Sequence, residues 1–129
     1  MLDHVGLAVS DIERSRAFYD ESLKPLGYGL VYEVGPAVTE TGGSWLGYGP
    51  GDDALLWLGD NLRPGQGSHV AFQVPSRELV EAFHAAALAA GGTDNGAPGL
   101  REHYAENYYS AFVLDPDGIN LEAVCHAPE

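Results

Sequence analysis

The sequence predicts an α+β fold of two βαβββ modules in tandem, forming a curved mixed sheet around a cup. Three observations carry this. First, Ser68-His69-Val70-Ala71-Phe72-Gln73-Val74 alternates as a half-buried strand does, with His69, Ala71 and Gln73 on one face and Val70, Phe72 and Val74 on the other. Second, adding 65 to a position in the first half gives its partner in the second without a gap: His4 to His69, Val5 to Val70, Val9 to Val74, Ala17 to Ala82, Phe18 to Phe83. Third, the same offset holds at the far end of each half, where residues 50–53 fall on 115–118 and 54–58 on 119–123. Self-similarity at a fixed offset marks a duplication, and chemistry is then expected where the halves meet.

The elements follow in order. Residues 2–9 read as a strand, and Ser10 or Asp11 can cap the helix after it; Ser10 with Glu13 would make a capping box. That helix runs to about Lys24 and stops at Pro25, with Gly27 beyond. Residues 28–34, 44–48 and 54–58 complete module one, which spans 1–58. Residues 59–67 read as a linker, and module two spans 68–126 within the same single domain. Ser76 caps a second, alanine-rich helix that ends at Gly91-Gly92. Residues 93–107, with Gly96, Pro98 and Gly99, predict a short or broken strand and a mobile loop. Strands at 108–114 and 119–125 flank the turn Asp115-Pro116-Asp117-Gly118.

Composition excludes several function classes. The chain has 129 residues and 45% hydrophobic content, enough for one ordinary core. Its formal charge of −13 would repel nucleic-acid phosphates and acidic membrane surfaces, so neither is expected as a partner. No apolar run approaches the ~20 residues of a membrane span, and no basic-then-apolar leader opens the sequence. Cys125 is the single cysteine, which excludes an intrachain disulfide framework; a reducing cytoplasm fits.

Alternation places His4 and His69 on the cup side of equivalent strands. Glu122 interrupts an apolar last strand, where a carboxylate away from water needs a partner or a cation. Its duplicate position is Trp57. Symmetry therefore predicts a ring of His4, Trp57, His69 and Glu122, three of them metal-ligand types. Two imidazoles and a carboxylate on strands leave coordination positions open for substrate, and Fe2+, Mn2+, Zn2+, Ni2+ and Co2+ all match such donors. The competing reading pairs Glu122 with Arg101 or a tyrosine.

Tyr104 and Tyr109 are candidate proton-handling groups; Trp57, Tyr108 and His103 are candidate substrate contacts, Trp57 as an apolar wall. For these tyrosines the alternative is strand packing, and for His103 a solvated loop position. Cys125 is expected in the core, His84 on the outer helix, and His126 exposed near the terminus.

Asp3-His4-Val5-Gly6-Leu7-Ala8-Val9 with Phe18-Tyr19, then Ser68-His69-Val70-Ala71-Phe72, then Leu114-Asp115-Pro116-Asp117-Gly118-Ile119-Asn120-Leu121-Glu122 resemble the vicinal oxygen chelate superfamily over essentially the whole chain. That superfamily includes glyoxalase I, extradiol dioxygenases, fosfomycin resistance proteins and bleomycin resistance proteins. The resemblance implies a glyoxalase-like fold, a divalent transition metal at His4, His69 and Glu122, a small oxygen-chelating organic substrate and a homodimer. It implies a lyase, isomerase or extradiol-type dioxygenase. Glyoxalase I itself is disfavoured, because Trp57 stands where that enzyme uses a carboxylate or similar ligand. The alternative is a drug- or antibiotic-binding protein of the bleomycin-resistance type.

Overall fold

The computed structural model describes residues 2–38, 42–64 and 68–129. Met1 of module one and residues 65–67 of the expected linker lie outside the described residues. Among the described residues eight strands and two α-helices follow the expected order, beside short 3-10 turns at Lys24–Leu26 and Pro36–Val38: β1 (Val5–Ala8), α1 (Ile12–Ser22), β2 (Gly29–Val34), β3 (Trp45–Gly49), β4 (Leu56–Gly59), β5 (His69–Gln73), α2 (Arg77–Ala89), β6 (Thr93–Leu100), β7 (Tyr109–Leu114) and β8 (Asn120–Cys125).

The strands form two four-stranded mixed sheets, ordered β1-β4-β3-β2 and β5-β8-β7-β6. The duplication is visible in the register. Gly6 sits opposite Trp57 in the parallel β1–β4 pair, and Ala71 sits opposite Glu122 in the parallel β5–β8 pair. β1 and β5 are edge strands in their sheets.

Each helix covers one face of its own sheet. α1 buries Ser15, Phe18, Tyr19 and Ser22, and α2 buries Val80, Phe83 and Ala87, a three-and-four spacing that puts each set on one side. The two helices also pack against each other, so a single core runs through both modules. The cup-side faces stay open: His69, Ala71 and Gln73 of β5 are exposed, as are His4 and Gly6 at β1. Among the described residues no helix is long and apolar enough to cross a membrane.

Two local readings change. Asp11 caps α1, its side chain accepting from the Arg14 N–H at 3.0 Å, so the capping box at Ser10 is not used. Ser10 instead donates through its backbone N–H (3.1 Å) and its hydroxyl to Asp117 of the other module. Residues 93–100 form a full eight-residue strand rather than a short one. Its pairing with β7 slips between Asp94 and Gly96 and again between Gly96 and Gly99, which is how so glycine-rich a segment stays in a sheet.

The Asp115-Pro116-Asp117-Gly118 turn joins the modules. Asp115 is 3% exposed; one carboxylate oxygen accepts the Asp117 and Ile119 N–H groups at 2.8 Å, and the other accepts the Tyr19 hydroxyl from α1, also at 2.8 Å. Burial pushes its carboxyl above the usual range, and these donors oppose the shift.

Candidate metal centre and adjoining cavity

On the second sheet, β5 and β8 bring His69 and Glu122 together. His69 is in register with Asn120, so Glu122 is its diagonal neighbour on the same face. His69 Nε2 lies 3.0 Å from Glu122 Oε1, and His69 Nδ1 lies 3.1 Å from the Asn120 carbonyl oxygen. The imidazole also stacks on Phe112 of β7, with ring centroids 6.0 Å apart.

A carbonyl can only accept, so Nδ1 donates to it; Nε2 then faces the carboxylate either as the second donor of an imidazolium or as the lone pair of a neutral ring, the form that binds a metal. In the neutral form the two acceptors, 3.0 Å apart, would be joined by a shared proton or a cation. A backbone carbonyl holding the far nitrogen is the usual support for a metal-binding histidine. Two donors each ~2.1 Å from a common ion, at roughly a right angle, would also stand about 3 Å apart. The chemistry of this donor pair therefore fits a divalent transition metal.

Glu122 is 2% exposed, and its second oxygen, Oε2, accepts the Tyr108 hydroxyl. Burial first, and then this hydrogen bond, push the Tyr108 phenol up to about 12. Near neutral pH it is a donor. Of the two competing partners for Glu122, a tyrosine is the one observed. Arg101 lies over the Phe112 ring at 5.1 Å and donates to the Gly99, Ala97 and Ser110 carbonyls, closing the β6–β7 end.

On the first sheet, His4 and Trp57 share a different place. With Gly6, Val34 and Trp45 they line an open cavity of about 320 Å³. The His4 ring is exposed, its Nδ1 2.7 Å from an Asp3 carboxylate oxygen. Within one chain His69 meets Glu122 while Trp57 lines this first-sheet cavity, and His4 also lines a second cavity with Val70, Ala71 and Phe72 of β5. Among the described residues no group of three His, Cys, Asp or Glu side chains could hold a metal ion.

The tyrosines sort by strand alternation. Tyr109, a candidate proton-handling group, lies on the helix side, under Arg77 of α2 at 4.9 Å and opposite Cys125. Tyr104 is 58% exposed and packs on His103 and Tyr108, so it touches Glu122 only through Tyr108. His103 is exposed in the same loop. Cys125 is buried, His84 pairs with Asp94 at 2.9 Å, and the exposed His126 meets Tyr108 edge-on.

The sequence reading missed Trp45 and Tyr32. Both belong to the first sheet's open face, with Tyr32 stacked beside Trp57. The signal was the alternation Trp45, Gly47, Gly49 in β3, which puts an aromatic and glycines on one side.

No curated protein sequence matches the chain significantly. Among solved structures, a glyoxalase/bleomycin resistance protein from Albidiferax ferrireducens T118 is 33% identical, with 99% of each chain covered and a TM-score of 0.73. A glyoxalase I variant from Zea mays is 25% identical with a TM-score of 0.74; the match covers 95% of this chain and 46% of the maize chain. A glyoxalase/bleomycin resistance protein/dioxygenase family enzyme from Burkholderia phytofirmans PsJN shares the fold at 18% identity, with 97% of this chain and 98% of that chain covered and a TM-score of 0.70. The model of the Glyoxalase/Bleomycin resistance protein/Dioxygenase superfamily matches residues 1–123, and with the duplicated βαβββ register this places the chain in that superfamily.

Proposed function

We propose that this protein is a metal-dependent enzyme acting on a small organic substrate that chelates through neighbouring oxygens. His4, His69 and Glu122 would hold a divalent transition metal, with Fe2+, Mn2+, Zn2+, Ni2+ and Co2+ all matching imidazole and carboxylate donors. The observation that carries the reading is the His69–Glu122 pair, with Nδ1 committed to a carbonyl and Nε2 facing a buried carboxylate. When bound, the ion would hold the substrate's oxygens and stabilise negative charge developing there.

The chain's own groups have separable tasks. The Asn120 carbonyl fixes the His69 ring. Tyr108 holds Glu122 by one oxygen and leaves the other turned toward His69. Trp57 has no lone pair for a metal, so the protein supplies three ligands rather than four.

The reading includes a homodimer. His4 belongs to the edge of one sheet and His69 to the edge of the other, and both cup-side faces are open in the single chain. A second copy covering those open faces would complete the ligand set.

The test is metal content by elemental mass spectrometry, beside molar mass by light scattering, on protein purified without chelators. About one equivalent per chain is expected in a dimer, lost in Glu122→Ala and weakened in His4→Ala. No metal after reconstitution with each of the five ions would overturn the proposal.

A second reading has its own support in the cavity beside Trp57, which is lined chiefly by ring and apolar surfaces. It makes the protein a non-catalytic binder of a small molecule. Catalytic turnover, as opposed to one-to-one ligand depletion, separates the two.

A further inference from the structure

The two oxygens of Glu122 have different neighbours. Oε1 lies 3.0 Å from His69 Nε2, and Oε2 accepts the Tyr108 hydroxyl. The carboxylate is almost wholly buried, so water is a poor substitute for either partner. The phenol is itself fixed. The Tyr108 carbonyl accepts the Arg101 N–H at 2.7 Å, and the Tyr108 N–H donates to the Ala105 carbonyl at 3.2 Å. The loop from Arg101 is thus closed at Tyr108, and Asn107 just before it takes a left-handed backbone with φ of 60°. Tyr104 and His126 each meet the Tyr108 ring edge-on, with centroids 5.2 Å away.

A carboxylate can serve an ion through one oxygen or through both. Calcium commonly takes both oxygens of a glutamate, and manganese shares its preference for oxygen donors. Zinc and its neighbours favour imidazole and sit in sites of fewer donors. A hydrogen bond to Oε2 draws that oxygen toward the phenol and engages part of its charge. Oε1, on the His69 side, is left as the stronger donor. Hydrogen bonds to a ligating carboxylate are a general means of orienting it and tuning the ion it holds.

We propose that Tyr108 is a positioning residue that holds Glu122 to coordination through one oxygen, and so tilts the site toward Zn2+, Co2+, Ni2+ and Fe2+ and away from Mn2+ and Ca2+. The inference rests on the metal reading of His4, His69 and Glu122, and narrows the set of ions that those donors match.

The test takes the full chain stripped of metal and titrates it near neutral pH with Zn2+, Mn2+ and Ca2+ in turn, against a chromophoric chelator. Tyr108→Phe keeps the ring and removes the hydroxyl. It should lower the ratio of Zn2+ affinity to Mn2+ affinity about tenfold, and move the Zn2+ to Ca2+ ratio the same way. A role in structure alone would weaken all three ions equally and leave both ratios unchanged. Tyr104→Phe alters only the neighbouring ring and should keep the wild-type ratios. Infrared difference spectra of the wild type on Zn2+ binding give a second measurement, with the Glu122 bands assigned by their absence in Glu122→Gln. The antisymmetric and symmetric carboxylate stretches should be widely separated, as coordination through one oxygen requires. If Tyr108→Phe does not fold, Tyr108→Leu and the infrared separation decide the matter. Unchanged ratios, or the narrow separation of a carboxylate bound through both oxygens, would overturn the proposal and leave the metal reading standing. A wild type that takes up none of these ions would overturn both.

Discussion

Glu122 is a carboxylate almost out of water, with Tyr108 on one oxygen and His69 on the other. Its importance was legible because a lone acid in an apolar strand demands a partner. Which partner it takes was not, since Tyr108 precedes β7 and reaches Glu122 through a turn that no local pattern fixes. Tyr109 looked as eligible; a one-residue difference in a strand sends it to the opposite face. The phenol of Tyr108 supplies a pH test. Its folded value, about 12, exceeds the ordinary value of 10.0, so its contribution to stability is fully present below pH 10 and is lost as pH rises through about 12. In Glu122→Gln the tyrosinate absorbance midpoint of Tyr108 should fall from about 12, yet stay above the ordinary value, because burial is the larger cause. An unchanged midpoint would mean that the carboxylate does not hold this phenol.

At the scale of elements, most of the architecture could be read from residue 65-apart pairs and from alternation. The strand β6 could not, because Gly96, Pro98 and Gly99 read locally as a loop; pairing with β7 overrides that preference and the two slips absorb the misfit. Of the two cap candidates Asp11 serves, and the task of Ser10 could not be read for a similar reason. Its partner, Asp117, is 107 positions away, while the local capping alternative was in plain view. Gly59, in register with Trp45, makes an element-level prediction. Gly59→Ala puts a methyl where the Trp45 ring lies, and the ring must move. A loss of about 1–3 kcal/mol is expected in urea unfolding, together with a shift in tryptophan emission. Gly51→Ala, with open space around the new Cβ, should leave both nearly unchanged.

Across the whole molecule, the two modules share a continuous core, and Asp115 is held from both sides. The sequence marked the Asp115–Gly118 turn through the duplication, whereas its task as a joint appears only once α1 is packed against it. Burial raises the Asp115 carboxyl, so the stability linked to that group is greatest when it is protonated and is lost as pH rises through its folded value. The Tyr19 hydroxyl offsets this by favouring the ionised form. Tyr19→Phe should therefore destabilise the protein by about 1–3 kcal/mol at pH 7, with a smaller loss as pH is lowered toward about 4. Urea unfolding at the two pH values checks it; an equal loss at both would assign the effect to packing alone.

The shared register of Trp57 and Glu122 has a stereochemical consequence. Two unaltered copies of a module would be related by a twofold rotation, and a guest could dock either way round with equal energy. Here one register position carries an indole and its duplicate carries a carboxylate, so the two directions are no longer equal. A guest lying between such faces would be oriented: its flat end goes one way and its polar end the other.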